Sequence, residues 1–291
     1  MDLIAVGDVM VDVHVESPAL KRGGDVHGRV RLQPAGTSAN AAVWAAWDGA
    51  SVRVHGRVGD DLGGRLLAGA LTDRDVEPAL TFDQDASTGT MLVVVEAGER
   101  SMVADRGANA RLVGDDLPAE LIARAVLVSG YLLLQDPTTA VAMDALGRSR
   151  ATFTAVEAAS WPLVEAFGAQ ACIDRTTSAG ADSLFANDLE AKVLSGADGR
   201  EGAERLGERY RLVCVKLGAE GAVMSLDGSL VTAPAEPVHE VDATGAGDAF
   251  DGVLLASLAR GVEPEEALSR ACNAGAIVAS SASTWPEEAS R

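Results

Sequence analysis

Lysine is nearly missing from this 291-residue chain: Lys21, Lys192 and Lys216 are the only three, and the formal net charge is −19. So acidic a chain lacks the clustered Lys and Arg that a nucleic-acid partner requires. None of the three lysines follows a GxxxxGK[ST] spacing, which excludes a Walker phosphate loop. Cysteine is scarce too. Cys172, Cys214 and Cys272 lie far apart in apolar settings without metal or redox spacing, so buried reduced thiols in a cytoplasmic protein are expected. No apolar run reaches the roughly 18 residues of a membrane span. The opening "MDLIAVGDVMVD" has no basic n-region and does not read as a signal peptide. Neither a membrane partner nor secretion is therefore expected. Aromatic residues make up only 4 % of the chain, which leaves little to stack against a nucleobase.

What is present is an ordinary globular composition, 47 % hydrophobic and 23 % charged. No repeat, low-complexity tract or linker divides the chain, so residues 1–291 are expected to form one domain. "LIAVGDVMVDVHV" begins as a continuous apolar run and then alternates, a buried strand followed by a half-exposed one. "SANAAVWAAWDGA" and "DDLGGRLLAGALTDRDV" have helical patterns on either side of the strand "SVRVHGRVG". "TGTMLVVVEAGERSMVAD" has the signature of a hairpin around "EAGE". From Leu121 onward strands are expected at "AVLVSGYLL", "ATFTAV", "ACID", "SLFAN", "LVCVKLG" and "AVMSL". "ARLVGDDLPAELI" and "NDLEAKVLSGA" carry helix-start chemistry. Strands alternating with helices predict an α/β fold with an open parallel sheet, binding its ligand at the carboxyl ends of the strands. Two β-only pieces, residues 14–33 and 87–103, stand out as an inserted flap.

The segment with the most chemistry is "HEVDATGAGDAFDGVLLASLARG", residues 239–261. After Asp248, Phe250, Val253, Leu254 and Leu258 repeat at helical spacing and Gly261 makes a C-terminal stop. "TGAG" therefore sits at a helix N-terminus, where unpaired N–H groups and the helix dipole favour an anion. Small residues let a phosphate approach those N–H groups, and charge growing on it would meet prearranged donors. Asp248, on the same turn, is placed to take a proton from an attacking hydroxyl. An ordinary Gly-rich turn with an aspartate at the helix start fits the local pattern as well. A GxGxxG dinucleotide loop does not, because Phe250 stands where its last glycine belongs.

"VDATGAGDAFDGVLLA" closely resembles the signature of the ribokinase-like carbohydrate kinases, the pfkB family. "PAGTSANAA", "GRVGDD", "DRGAN", "NDLE" and "VKLGAEGA" match further family patterns in order, so the resemblance covers nearly the whole chain. It implies a ribokinase-like α/β/α sandwich with a mostly parallel sheet and a small β lid over the sugar. It also implies transfer of a phosphoryl group from Mg–ATP to a hydroxyl, generally a primary alcohol, of a sugar or nucleoside. Asp248 resembles the family's general base, and Gly245, Ala246 and Gly247 its anion hole. Asp12, Gly36 and Asn40 match positions that hold sugar hydroxyls. Asn187, Lys216, Gly218, Gly221, Gly247 and Asn273 match the nucleotide side. Glu190 matches a Mg²⁺ position acting through water, while Asp242 and Thr244 fit a monovalent-cation site, K⁺ in many relatives. A homodimer through the lid is the expected assembly.

Plain alternatives accompany several of these residues. Asn187 and Glu190 suit a helix start, Lys216 a solvent-exposed lysine, Asn273 a structural asparagine, and Asp12 a buried ion pair with an arginine. Arg106 suits a structural salt bridge, with Asp8 a secondary candidate for sugar contact. Trp44, Trp47 and Phe82 are expected to pack rather than stack on a base. The chain also departs from the family pattern. Ala35–Gly36 replaces a double glycine, Met10 and Gln135 replace polar positions of ribokinases, and "ASSASTW" replaces a cation-loop segment. Ribose is therefore not implied as the acceptor. A nucleoside kinase of the same fold and a non-catalytic sugar- or nucleotide-binding regulator are the rivals to a sugar kinase.

Overall fold

A computed structural model describes residues 1–17, 22–96 and 99–286. Nine strands form the main sheet in the order Ser229–Ala233, Ala222–Leu226, Leu212–Lys216, Ser183–Asn187, Phe153–Glu157, Ala125–Ser129, Leu3–Val6, Val52–Gly59 and Val76–Asp83. All neighbours are parallel except the two pairings made by Ala222–Leu226, whose antiparallel strands close one edge. Alternate residues of the same strand enter different apolar clusters. Leu3 and Ala5 join one built with the helices Thr37–Trp47, Ala246–Ala259 and Pro264–Ala279. Ile4 and Val6 join another with the helix Thr139–Arg148. The sheet is therefore covered on both faces, which explains the unbroken apolar run at the start of the chain.

After Val6 the chain leaves this sheet for a second one, ordered Arg29–Ala35, Met10–Ser17, Thr90–Glu96 and Glu99–Asp105. Its strands overlap the β-only pieces 14–33 and 87–103 and extend beyond them at Met10–Val13, Pro34–Ala35 and Ala104–Asp105. Residues 18–21 and the 97–98 turn of the hairpin lie outside the described residues. Asp12 is the third residue of Met10–Ser17 and belongs to this sheet. The cross-strand row Leu32–Val13–Leu92–Val103 runs along one face, with Leu32 and Val103 largely exposed.

Several local expectations fail for physical reasons. "ACID" lies inside the helix Ala169–Ser178, where Cys172, Ile173 and Thr176 share the buried face. A four-residue apolar run cannot distinguish a strand from one turn of a buried helix. The strand at Ala125 stops at Ser129, whose side chain accepts from Tyr131 N and caps the short helix Gly130–Leu133. "ARLVGDDLPAELI" forms no α-helix but two 3-10 turns, Gly107–Arg111 and Gly114–Asp116, followed by the short strand Leu121–Ile122. The Asp116 carboxylate accepts there from Val113 N and from Arg57 at 2.9 Å. Phe82 is 42 % exposed and does not pack as expected, whereas Trp44 is buried and donates to the Thr284 carbonyl at 2.8 Å. All three cysteines are free and buried, as expected. Among the described residues no helix is long and apolar enough to cross a membrane.

Candidate active site

Strand register places three polar side chains along one edge of the main sheet. Phe153–Glu157, Ser183–Asn187 and Leu212–Lys216 are parallel neighbours, with Glu157 opposite Phe185 and Asn187 opposite Lys216. Each strand ends in a polar residue, so Glu157, Asn187 and Lys216 lie at the carboxyl edge, where open α/β sheets bind ligands. The helix Ala246–Ala259 begins against them. Gly245 caps it in the left-handed region at φ 80°, a conformation that glycine adopts without strain. Ala246 N donates to the Ala243 carbonyl at 3.2 Å, whereas the N–H groups of Gly245, Gly247 and Asp248 donate to no protein group among the described residues. Those open donors point from the mouth of a 14-residue helix.

Asp248 lies in the first turn of that helix and accepts from Asn40 Nδ2 at 2.8 Å. Asn40 is itself fixed, since its Oδ1 accepts from Trp285 Nε1 at 2.8 Å. Burial pushes the Asp248 pKa up to about 7; the Asn40 bond opposes the rise, while the Asp251 charge adds to it. Asp12 adds its own charge from the second sheet, and His14 Nε2 lies 3.8 Å from it. Gly36 caps the Thr37 helix at φ 106°, and a Cβ there would stand 2.4 Å from the Asp8 carbonyl oxygen. Asp8 is paired with Arg106 at 3.1 Å, and Arg106 also donates to Gln135 at 3.3 Å, the structural salt bridge anticipated for it.

Among the residues expected to face a nucleotide, Asn187 and Glu190 form a capping box: Glu190 N donates to Asn187 Oδ1 at 2.9 Å and Asn187 N to Glu190 Oε2 at 2.8 Å. This realises the helix-start role, and burial raises the Glu190 pKa. Lys216 is not solvent-exposed. Its Nζ donates to both oxygens of buried Asp251, at 2.7 and 2.9 Å. Burial works against its charge, but Asp251 and Glu190 outweigh that and raise its pKa. Gly218 (φ 59°) and Gly221 (φ 96°) shape the turn after the Lys216 strand, and Asn273 is an exposed residue of the helix Pro264–Ala279. Thr244 N donates to Asp242 Oδ1 at 2.9 Å in the segment leading to Gly245.

Three participants escaped sequence reasoning. Glu157 is buried, and burial with the Asp248 charge pushes its pKa well above the ordinary carboxylate value. An acid closing the apolar strand "FTAVE" was the available signal. Asp251 stands three residues after Asp248, so helical spacing alone placed both on one face. Trp285 held no signal for its bond to Asn40, because 245 residues separate them.

The sequence profile of the pfkB family carbohydrate kinases matches residues 1–288. A fructokinase of Klebsiella pneumoniae is 31% identical over 281 residues, covering 89% of this chain and 91% of that protein. A 2-dehydro-3-deoxygluconokinase of Thermoproteus tenax is 31% identical over 294 residues, covering 96% and 88%. An aminoimidazole riboside kinase from Salmonella enterica, solved with aminoimidazole riboside and an ATP analog, superposes with a TM-score of 0.76 at 23% identity. That superposition covers 97% of this chain and 95% of that one.

Proposed function

The chain belongs to the pfkB family of carbohydrate kinases and is an ATP-dependent sugar kinase, and we propose the following division of work among its residues. Asp248 takes the proton of the sugar hydroxyl. The hydroxyl oxygen then bonds to the γ-phosphorus as the bond from phosphorus to the β,γ-bridging oxygen breaks and ADP leaves. Charge on the transferred group is stabilised by the N–H groups of the 245–247 turn, in particular Gly245 and Gly247, whose donors are open. Phosphoryl transfer asks mainly for alignment and charge stabilisation, which this arrangement supplies. The single observation carrying the assignment is a half-buried carboxylate, oriented by Asn40, one residue from an open N–H at a helix mouth.

The sugar lies between Asp248 and the second sheet, against Asp12, Asn40 and the Gly36 turn, with the 14–33 and 87–103 segments acting as its lid within one kinase unit. The acceptor hydroxyl is a primary alcohol. ATP extends along Asn187, Lys216, Gly218 and Gly221 toward Asn273. No group of three or more His, Cys, Asp or Glu able to hold a metal occurs among the described residues. A single carboxylate suits Mg²⁺ carried mainly by phosphate oxygens and water, with Glu190 as its protein-side anchor. When bound, the ion neutralises phosphate charge. Asp242 and Thr244 are the proposed monovalent-cation position. We also assign a homodimer through the lid in a cytoplasmic enzyme; exposed Val30, Leu32 and Val103 support it, and sedimentation as a monomer at micromolar concentration removes it.

A coupled ADP-release screen over pentoses, hexoses, ketodeoxy acids, polyols and nucleosides tests this function. Sugar-dependent ADP release is expected, abolished by Mg²⁺ chelation and faster in KCl than in choline chloride. Silence with every acceptor while ATP still binds would leave a regulator. The pH dependence carries a further prediction. Asp248 must be ionised to act as base, so kcat/KM should fall about tenfold per pH unit below an inflection near 7. A profile flat from pH 5.5 to 9 excludes Asp248 as the titrating base.

A further inference from the structure

Asp251 has no assigned part in the transfer, yet it is 1 % exposed and carries a carboxylate on the face of the helix that opens the anion hole. A carboxylate so buried is costly unless paired, and its partner is Lys216 Nζ, engaged bidentately. The ammonium has a second neighbour. A Cβ built on Gly247 would lie 3.3 Å from Lys216 Nζ. The pair thus joins the end of the Leu212–Lys216 strand to the second turn of the Ala246 helix and holds a positive charge beside Gly247. Glu190 and Glu157 also act on Lys216 by charge. A lysine free to choose among these carboxylates could settle away from Gly247; the bidentate bond removes that choice.

We propose that Asp251 is a positioning residue, anchoring Lys216 so that its ammonium stands against the Gly247 amide and meets the phosphoryl group in transit. This rests on the assignment of the 245–247 turn as the anion hole and adds Lys216 as its cation. The charge that develops on the transferred group would meet a fixed cation as well as fixed N–H groups, and fixed donors act without reorganisation in the transition state. Asp251 itself touches no substrate.

The test is a double-mutant cycle on the full chain, with Asp251→Asn, Lys216→Met and the combination, assayed for kcat and for the KM of sugar. Lys216→Met is expected to lower kcat about 10²–10³-fold, the scale of one lost transition-state donor. Asp251→Asn should lower it about tenfold while the sugar KM stays within twofold, because the acceptor side is untouched. In the Lys216→Met background Asp251→Asn should cost nothing further, since its action runs through the ammonium. The double variant removes both charges of the pair, so neither is left buried without the other, and melting curves check that it folds where a single variant is strained. Asp251→Asn with unchanged kcat, or with an equal loss in both backgrounds, overturns the proposal. An inactive wild-type enzyme would instead refute the kinase mechanism on which it rests.

Discussion

An Asp248→Asn enzyme is expected to bind ATP as the parent does, to phosphorylate sugar at least about 10³-fold more slowly, and to melt at a higher temperature. The kinetic loss follows from the missing base, since an amide cannot accept the hydroxyl proton. Binding should survive, because the proposed nucleotide contacts are N–H groups and Lys216 rather than the carboxylate. The local geometry need not change, as Asn40 Nδ2 can donate to the oxygen of the substituted amide where it now donates to Asp248 Oδ2. The stability gain has a definite pH window. The folded-state pKa of Asp248 is raised from 3.8 to about 7, so the folded protein binds this proton more tightly than the unfolded chain. Ionising it therefore costs stability progressively from about pH 4 and in full above about pH 7. The substituted enzyme should gain a few degrees at pH 8 and nothing at pH 4. Isothermal titration with ATP, a sugar-dependent rate and melting curves at both pH values check the three parts. An active Asp248→Asn enzyme removes Asp248 from its role.

That opposition between stability and catalysis bears on how much was legible beforehand. The helix mouth was readable because glycine, alanine and aspartate leave a local imprint: open backbone, then helical spacing from Phe250. The carboxyl edge was readable wherever an apolar run ended in a polar residue, as in "SLFAN" before Asp188. What stayed hidden depends on contacts distant in sequence. Asn40, matched to a sugar-binding position, proves also to orient Asp248, 208 residues away, and neither neighbourhood announces the bond. Lys216 appeared equally suited to solvent until the helix brought Asp251 to it. The strand Val76–Asp83 escaped notice because it is an edge strand with Pro78 inside it and half-exposed residues along it, which blurs the alternation. Ser229–Ala233, at the opposite edge, was missed in the same way.

The second large effect comes from a glycine with no chemistry of its own. Gly252 lies one turn beyond Asp248, on the face of the Ala246 helix that meets the Thr37 helix. A Cβ there would stand 2.1 Å from the Ala41 carbonyl oxygen and 2.9 Å from Ala41 Cα. The obstacle is main chain, which no rotamer change can clear, so the helices must separate. Asn40 precedes Ala41, and its 2.8 Å bond to Asp248 crosses this same gap. Gly252→Ala should therefore destabilise by about 1–3 kcal/mol, on the order of 2–10 °C in Tm. Its folded fraction should also lose about 10²-fold in kcat, the scale expected from misplacing a catalytic group by about 1 Å. Gly69→Ala is the control, for a Cβ on that helical glycine meets nothing within 4 Å. Alanine is the better helix former, so Gly69→Ala should hold or slightly raise Tm and leave kcat alone. If Gly252→Ala instead melts with the parent and keeps its rate, the close crossing of these two helices does not set the position of the base.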